Sequence, residues 1–170
     1  MTPLWEYTRD LHHACEQHPV GAAMASGSPP IEWYADWVKA LEQIHLVVDS
    51  DMPDLLWRAE RLGEDTRSIG ARALDLQATE QYIQELLCDN ITRAGAAYVL
   101  TGAHLMGGEI MRRRLQGYPT KHLEWDDRKE ALAELKKLRE ADGIAEAARE
   151  CFYALLKIMD EIVQRRSLGV

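Results

Sequence analysis

A threonine, a histidine and a glutamate recur every four residues near the start of the chain, as Thr8, His12 and Glu16. Residues at this spacing share one face of an α-helix. A neutral imidazole binds a metal ion through one ring nitrogen, and an acceptor on the other nitrogen fixes its tautomer and raises its basicity. Glu16 could be that acceptor, directly or through a water. The same spacing is common on solvated helices, so it indicates a ligand only with further support.

A cluster of glycines falls in residues 91–116, which otherwise form a long helical pattern. Gly95, Gly102, Gly107 and Gly108 all lie there. Each costs about 0.5–1 kcal/mol relative to alanine inside a helix, and the adjacent pair favours a kink. Two explanations are open: close packing against another helix, or close approach of a flat ligand to bare backbone. A kink would also expose backbone groups that can hold water.

The elements that must position these residues are helices joined by short turns. Thr2 can cap a first helix in which Pro3 suits the first turn, and His18–Pro19 ends it because the residue before a proline avoids the α region. Helix formers are plentiful, and the chain contains a single Phe. The expected fold is therefore all-α, one multi-helix bundle over residues 1–170. The predicted helical segments are residues 3–17, 21–25, 30–49, 53–62, 65–73, 77–87, 91–116, 125–140 and 143–166.

Charge and composition exclude several functions. The formal net charge of −8 argues against general binding of nucleic acid, which demands a basic surface. No segment is apolar enough for a signal peptide or a membrane span. The three cysteines, Cys15, Cys88 and Cys151, form no CxxC pair and fit reduced thiols in a cytoplasm.

Two runs of arginine stand out in this acidic chain, at residues 112–114 and 165–166. Cations favour the C-terminal ends of helices, which is the simpler explanation. The alternative is a local docking patch for an acidic partner.

The order of these motifs resembles the heme oxygenase family over nearly the whole chain. The family shows a Thr-x-x-x-His-x-x-x-Glu helix, a long aromatic second helix, a Leu-x-x-Asp-x-x-x-x-Gly stretch, a Tyr-Val lead-in to paired glycines, and two closing helices. The corresponding segments are TRDLHHACEQHPV, WYADWVKALEQIHLVVD, RAERLGEDTRSIG, AAYVLTGAHLMGGEIMRRRL and WDDRKEALAELKK with ARECFYALL.

The resemblance implies a set of heme-binding residues. His12 matches the ligand of the heme iron, and Glu16 the acidic residue that holds it. Basic and tyrosine side chains match groups that pair with the heme propionates, a role that suits the fork of an arginine. These are Arg9, Tyr98, Arg128 and Lys129. Gly107 and Gly108 match the glycines over the opposite heme face.

The chain departs from the family beside the glycine pair. The interval from Gly102 to Gly107 is one residue longer than the family's usual spacing. His104 falls where many members carry an aspartate that organises water for proton delivery. It could do similar acid–base work, bind the iron as a second ligand, or point away from the heme.

The implied activity is oxidative cleavage of heme by O₂ to biliverdin, CO and ferrous iron, with electrons from a ferredoxin or a flavin reductase. The run at residues 112–114 could contribute to its docking face. One alternative is a non-catalytic heme carrier or sensor on the same fold, and a plain helical interaction module is another. A third is a di-iron oxidase, for which Glu42-x-x-His45 has one suitable ligand spacing.

Other aromatic and histidine residues have simpler expected roles. Trp33, Tyr34, Trp37 and Phe152 are expected in the core or the pocket wall. His45 is expected to be a core residue. His13 lies about 100° round the helix from His12, so the two cannot bind one iron. We expect surface or turn positions for His18 and His122.

Overall fold

The structure, a computed structural model, describes residues 3–169, and within them it contains helices and no strand. The all-α prediction is therefore confirmed. The proposed cap Thr2 lies outside the described residues. The α-helices are α1 (Leu4–Gln17), α2 (Pro19–Ser26), α3 (Ile31–Val48), α4 (Ala59–Ser68), α5 (Gln77–Cys88), α6 (Asn90–Met106), α7 (Gly108–Arg114), α8 (Arg128–Lys137) and α9 (Ile144–Ser167). Short 3₁₀ helices cover Asp49–Asp51, Asp54–Leu56, Lys121–Leu123 and Leu138–Glu140.

Side-chain caps and glycines set several helix ends. Asp89 accepts the N–H of Ile91 at 3.0 Å to begin α6, and Asp127 accepts that of Glu130 at 2.9 Å to begin α8. Gly27 ends α2 in the left-handed region, with φ of 83°. These local signals set where α2 ends and where α6 and α8 begin.

The core forms around α9, against which α1, α3, α5 and α6 pack. The inner faces of α3 and α9 bury aliphatic side chains at helical spacing, among them Leu41, Ile44, Leu155 and Ile158. Gly95 lets α6 approach α9 closely: a Cβ atom there would lie 2.5 Å from the carbonyl carbon of Ala147. The helix α9 is thus the common support for the first helix and the glycine-rich helix.

The segment between α3 and α5 differs from the prediction of helices over residues 53–62 and 65–73. It contains the 3₁₀ turn Asp54–Leu56, then α4, which continues through Gly63; residues 69–76 are irregular. Asp49 accepts the N–H groups of Arg58 and Ala59 at 2.8 Å, which places the start of α4 later than predicted. Asp36 accepts the N–H of Leu74 at 2.7 Å. The two residues are 38 positions apart in the sequence, so no local pattern predicts this hydrogen bond.

Candidate functional site

His12 lies on an exposed stripe of α1. Its side chain is 57% exposed, and the edge of its ring meets Phe152 of α9, with 6.0 Å between centroids. Its Nδ1 lies 3.5 Å from Oε1 of Glu16, so the predicted pairing across one turn is present. Trp5 and Arg9 continue the same stripe, and the Arg9 guanidinium lies 5.7 Å from the centre of the Trp5 ring. The second ring nitrogen, Nε2, is the atom available for a metal.

Thr8, one turn before His12, lies at the buried edge of the same helix face. It is 6% exposed, and its hydroxyl donates to the carbonyl of Leu4 at 3.1 Å. The threonine therefore packs α1 against the core, and the exposed stripe that follows the helix is formed by Trp5, Arg9, His12 and Glu16.

The predicted fault in the long helix is present at Gly107, which separates α6 from α7. Backbone hydrogen bonds continue across it: Gly107 donates to Ala103 at 3.0 Å, and Met111 donates to Gly107 at 3.0 Å. The exposed face here is small and apolar, since Ala103 is exposed, Met106 is 63% exposed and Ile110 is 55% exposed. A stripe of apolar surface at a helix break is suited to stacking a flat ligand.

Three of the four glycines divide between the two explanations left open by the sequence. A Cβ atom at Gly95 would clash with Ala147, and one at Gly108 would lie 3.3 Å from the carbonyl oxygen of Leu123. These two glycines permit close packing. A Cβ atom at Gly107 would meet only its own helix, at the carbonyl oxygen of Ala103, 3.4 Å away. Gly107 is therefore the bare position that faces open space.

The two stripes lie on separate helices, which we call the first wall (α1) and the second wall (α6 and α7). Both α1 and α6 pack on α9, whereas within residues 3–169 α1 has no comparable interface with α6 or α7. At one end, α2 packs on α7: the Arg114 guanidinium donates to the carbonyl of Ala25 at 3.2 Å. A Cβ atom at Gly27 would lie 2.3 Å from the carbonyl oxygen of Arg114, so only glycine permits this contact. Tyr118 adds a hydrogen bond to the carbonyl of Pro29 at 2.6 Å.

Behind the apolar stripe, His104 is buried between two other histidines. Its ring centroid lies 5.9 Å from that of His45 on α3 and 5.2 Å from that of His122. Burial lowers the pKa of His104 well below its usual value, and the neighbouring His122, His45 and Arg58 add to this effect. His104 is therefore a neutral imidazole at pH 7.

The predicted propionate-binding residues differ in their exposure and in their contacts. Arg9 and Lys129 are exposed, while Tyr98 is half-buried. The Nε atom of Arg128 donates to the carbonyl of Leu105 at 3.0 Å, which ties the start of α8 to α6. Arg139, which the sequence reasoning missed, places its guanidinium 5.8 Å from the centre of the Tyr98 ring. It lies in the 3₁₀ turn after α8, and no local pattern links it to a tyrosine 41 residues earlier.

The arginine run at residues 112–114 forms the C-terminal turn of α7. The side chains of Arg112 and Arg113 are 49% and 76% exposed, and Arg113 pairs with Glu109 at 2.6 Å. This placement satisfies the helix dipole and leaves the basic surface beside Met106 and Ile110 accessible.

The other predicted histidine and aromatic positions are confirmed with one exception. His45 is fully buried, and Tyr34 and Phe152 are buried; Trp33 and Trp37 are partly buried against the core. His13 is exposed, and His18 lies at the α1–α2 junction, where its Nε2 meets Asp160 at 2.8 Å. His122 lies in the 3₁₀ turn Lys121–Leu123, as one of the two predicted positions allows, but it is not at the surface. It is 5% exposed, because Asp65 accepts both its backbone N–H and its ring Nδ1–H.

The spacing Glu42-x-x-His45 does not assemble into a larger ligand set. Nδ1 of His45 lies 2.9 Å from Asp49, and a Cβ atom at Gly63 would meet Glu42 at 3.0 Å. Within residues 3–169, no three His, Cys, Asp or Glu side chains are grouped to hold a metal ion, so the di-iron alternative gains no support there.

Comparison with known proteins identifies the fold. No protein-family model and no curated protein matches the sequence. Among solved structures, the chain is similar to a heme oxygenase from Leptospira interrogans, with a TM-score of 0.79, 18% identity, and coverage of 93% of this chain and 97% of that one. It is also similar to heme oxygenase-1 from the cyanobacterium Synechocystis in complex with heme, with a TM-score of 0.79, 16% identity, and coverage of 98% and 95%. The chain therefore has the heme oxygenase fold. None of the helices described for residues 3–169 is both long and apolar enough to cross a membrane.

Proposed function

We propose that this protein is a heme oxygenase that binds heme against the α1 and α6–α7 walls and cleaves it with O₂ and external electrons. The products would be biliverdin, carbon monoxide and ferrous iron. The observation that carries the proposal is the accessible imidazole of His12, paired with Glu16 on the first helix of a heme oxygenase fold. The bare backbone at Gly107 on the second wall supports it.

The donor set on the two walls suits a heme. With Oε1 of Glu16 3.5 Å from its Nδ1, the His12 imidazole would hold the heme iron through Nε2. Exposed Arg9 and Lys129, with Arg128 and the Tyr98–Arg139 pair, offer cations and a hydroxyl for propionates. The apolar face formed by Ala103, Met106 and Ile110 suits the porphyrin plane. Heme, when bound, would supply both the iron and the ring that is oxidised.

The residues of the second wall would control what approaches the iron. With no side chain, Gly107 would leave space for a bound heme and for a small molecule beside it. His104 lies one turn earlier, buried and neutral, and would hold a proton for the reaction on the oxygen side. Gly108 acts indirectly, since it lets the backbone pack on Leu123 and so fixes the orientation of Gly107.

A direct test is titration of the purified protein with hemin, followed by aerobic turnover. We expect a five-coordinate histidine-bound heme in the wild type. His12→Ala should lose that spectrum and regain it on addition of imidazole. His13→Ala is the matched control, because His13 is exposed on the same helix about 100° away. An unchanged spectrum in His12→Ala would overturn the ligand assignment.

Turnover separates the enzyme from a heme carrier. With hemin, O₂ and a reducing system, we expect the Soret band to disappear while biliverdin and CO accumulate. A stable six-coordinate spectrum without product would instead indicate the carrier or sensor, with His104 as the second ligand.

The electrons must come from a second protein, and we propose an acidic ferredoxin or flavin reductase in the cytoplasm. Arg112 and Arg113, each paired with a glutamate, present exposed guanidinium groups next to exposed Met106 and Ile110, and exposed charges beside apolar side chains are typical of transient docking sites. Arg113→Glu should raise the donor concentration that gives half-maximal turnover, with the maximal rate unchanged. Lys157→Glu, on the exposed face of α9, is the charge-matched control. Equal behaviour of the two variants would remove this docking surface.

A further inference from the structure

The break between α6 and α7 lies against one short segment, residues 122–128. Gly108, the first residue of α7, packs on this segment, since a Cβ atom there would lie 3.3 Å from the carbonyl oxygen of Leu123. Two side chains of the same segment, Trp125 and Arg128, reach the last turn of α6. The segment therefore meets the break at three points.

Both side chains donate to backbone carbonyls at the C-terminal end of α6. The indole Nε1–H of Trp125 donates to the carbonyl of His104 at 3.2 Å, and the Nε–H of Arg128 donates to the carbonyl of Leu105 at 3.0 Å. In an uninterrupted α-helix, these carbonyls would accept the N–H groups of the residues four positions later, which here begin α7. The C-terminal carbonyls of a helix carry partial negative charge, which favours the Arg128 cation there. We call Trp125 and Arg128 the brace.

A buried arginine fixes the position of the indole. The guanidinium of Arg58 lies 3.6 Å from the centre of the Trp125 ring, and the residue is 4% exposed. Its Nη1 donates to the carbonyls of His122 at 3.2 Å and Glu124 at 2.6 Å, so Arg58 also holds the backbone that carries the indole. Burial lowers the pKa of Arg58 to about 10, which leaves it charged at pH 7 and attracted to the face of the ring. Trp125 is therefore held through its ring, its N–H and its neighbouring backbone.

The brace and the bare backbone lie on different sides of the broken helix. Leu105 is 2% exposed and packs with Ala131 and Leu135 of α8. Gly107, two residues later and about 200° further round a helix, is the bare position that faces open space. A displacement on the buried side would therefore move the face to which the proposed function assigns the heme.

We propose that Trp125 and Arg128 are positioning residues for the reaction at Gly107. With the last carbonyls of α6 bound to the brace, the angle between α6 and α7 is fixed, and with it the distance from the Gly107 backbone to a bound heme. This inference rests on the proposed function. The brace would act only through the backbone. Because Arg128 could also hold a propionate through its Nη atoms, Trp125 is the residue that isolates the effect.

The first test follows the break in the heme-free protein by amide hydrogen exchange. Trp125→Phe keeps an aromatic ring but removes the N–H. The amides of Gly107 and Met111, whose hydrogen bonds cross the break, should exchange about 2- to 10-fold faster, the effect of losing one hydrogen bond. Trp57→Phe is the matched control, because its Nε1 donates to the carbonyl of Met52 at 2.8 Å, away from the break. Unchanged exchange of these two amides in Trp125→Phe would overturn the inference.

The second test separates positioning from heme binding and from stability. Trp125→Phe should lower kcat for heme cleavage by about 10- to 100-fold, since a misplacement of about 1 Å can cost about 100-fold in rate. Its KM and its affinity for hemin should change less than about twofold, because binding depends on His12 and the propionate partners. Loss of stability alone would lower the melting temperature and leave kcat of the folded enzyme unchanged. Trp57→Phe should retain the wild-type kcat.

Arg128→Lys is a second variant should Trp125→Phe not fold. Lysine keeps the positive charge for a propionate but has no Nε–H to donate to the carbonyl of Leu105. We expect faster exchange of the same two amides and a lower kcat at an unchanged affinity for hemin. Wild-type exchange and kcat in this variant would show that its hydrogen bond does not position the break.

The outcomes distinguish the inference from the function on which it rests. If the wild type cleaves heme and Trp125→Phe retains its kcat, or if Trp125→Phe and Trp57→Phe lose kcat equally, the positioning role is wrong and the enzyme assignment stands. If the wild type does not cleave heme, the proposed function is wrong and the positioning role falls with it. Exchange in the heme-free protein would then still decide whether the brace holds the break.

Discussion

Alanine at Gly107 should stabilise the heme-free protein, whereas alanine at Gly95 should destabilise it, although both residues belong to one helical stretch. At Gly107 the backbone has φ of −108° and ψ of −7°, which alanine adopts without strain, and the new Cβ would be 3.4 Å from the carbonyl oxygen of Ala103. At Gly95 it would lie 2.5 Å from backbone and side-chain atoms of Ala147. Both substitutions add the same methyl group, which lies in open space at Gly107 and inside a helix–helix contact at Gly95.

The magnitudes follow from these distances. Gly107→Ala gains about 0.4–1 kcal/mol, because alanine has less conformational freedom than glycine in the unfolded chain and meets no clash at this position. Gly95→Ala gains the same amount but forces α6 away from α9, and overpacking of this kind costs about 1–3 kcal/mol. Its net effect should be a loss of about 1–2 kcal/mol. For a chain of this length, 1 kcal/mol corresponds to about 2–4 °C in melting temperature.

The assay is urea unfolding of the heme-free variants, followed by circular dichroism, with thermal melting as a check. The midpoint should rise for Gly107→Ala and fall for Gly95→Ala at an unchanged slope. Gly107→Leu should also raise the midpoint yet lower the affinity for hemin, because its side chain covers the bare backbone. Destabilisation by Gly107→Ala would refute the conclusion that this position faces open space.

Three further predictions concern buried polar groups. Because the pKa of His104 is lower in the folded protein than the unfolded value near 6.5, the unfolded state binds more protons below that pH. The free energy of unfolding should therefore fall by up to about 1.4 kcal/mol per pH unit below about pH 6.5, and less steeply in His104→Gln; equal slopes in urea titrations would contradict this. Burial raises the pKa of Cys151 to about 12, so iodoacetamide at pH 8 should label exposed Cys88 and leave Cys151 unmodified until urea unfolds the chain, as mass spectrometry would show. Asp36 is fully buried and pairs with Arg166 at 2.8 Å, so Asp36→Ala should cost about 3–5 kcal/mol in urea unfolding, and a loss below 1 kcal/mol would show that the pair is dispensable.

The parts of the site that sequence could predict are those set by the geometry of one helix. His12 and Glu16 are four residues apart, so the helical repeat alone brings their side chains together, and the structure has them 3.5 Å apart. The break at Gly107 was predictable for a similar reason, because adjacent glycines weaken a helix locally. The all-α fold followed from composition and spacing.

The parts that sequence could not predict depend on contacts between distant segments. The sequence around His122 is typical of a turn. The residue is buried because it hydrogen-bonds to the carboxylate of Asp65, 57 residues earlier. The approach of His45 to His104 likewise depends on how α3 packs on α6. The late start of α4 depends on Asp49 accepting two backbone N–H groups, which no periodic pattern records.

The contact between α2 and α7 has a consequence for the thermodynamics of ligand binding. Gly27 packs on the carbonyl of Arg114, and the Tyr118 hydroxyl bonds to Pro29, so the chain that follows the first wall is fastened to the end of the second. The positions of the two walls relative to each other are therefore fixed when the protein folds, and not when a ligand binds. Since ordering at the moment of binding subtracts from affinity, this preorganisation leaves more of the interaction energy available to hold the ligand.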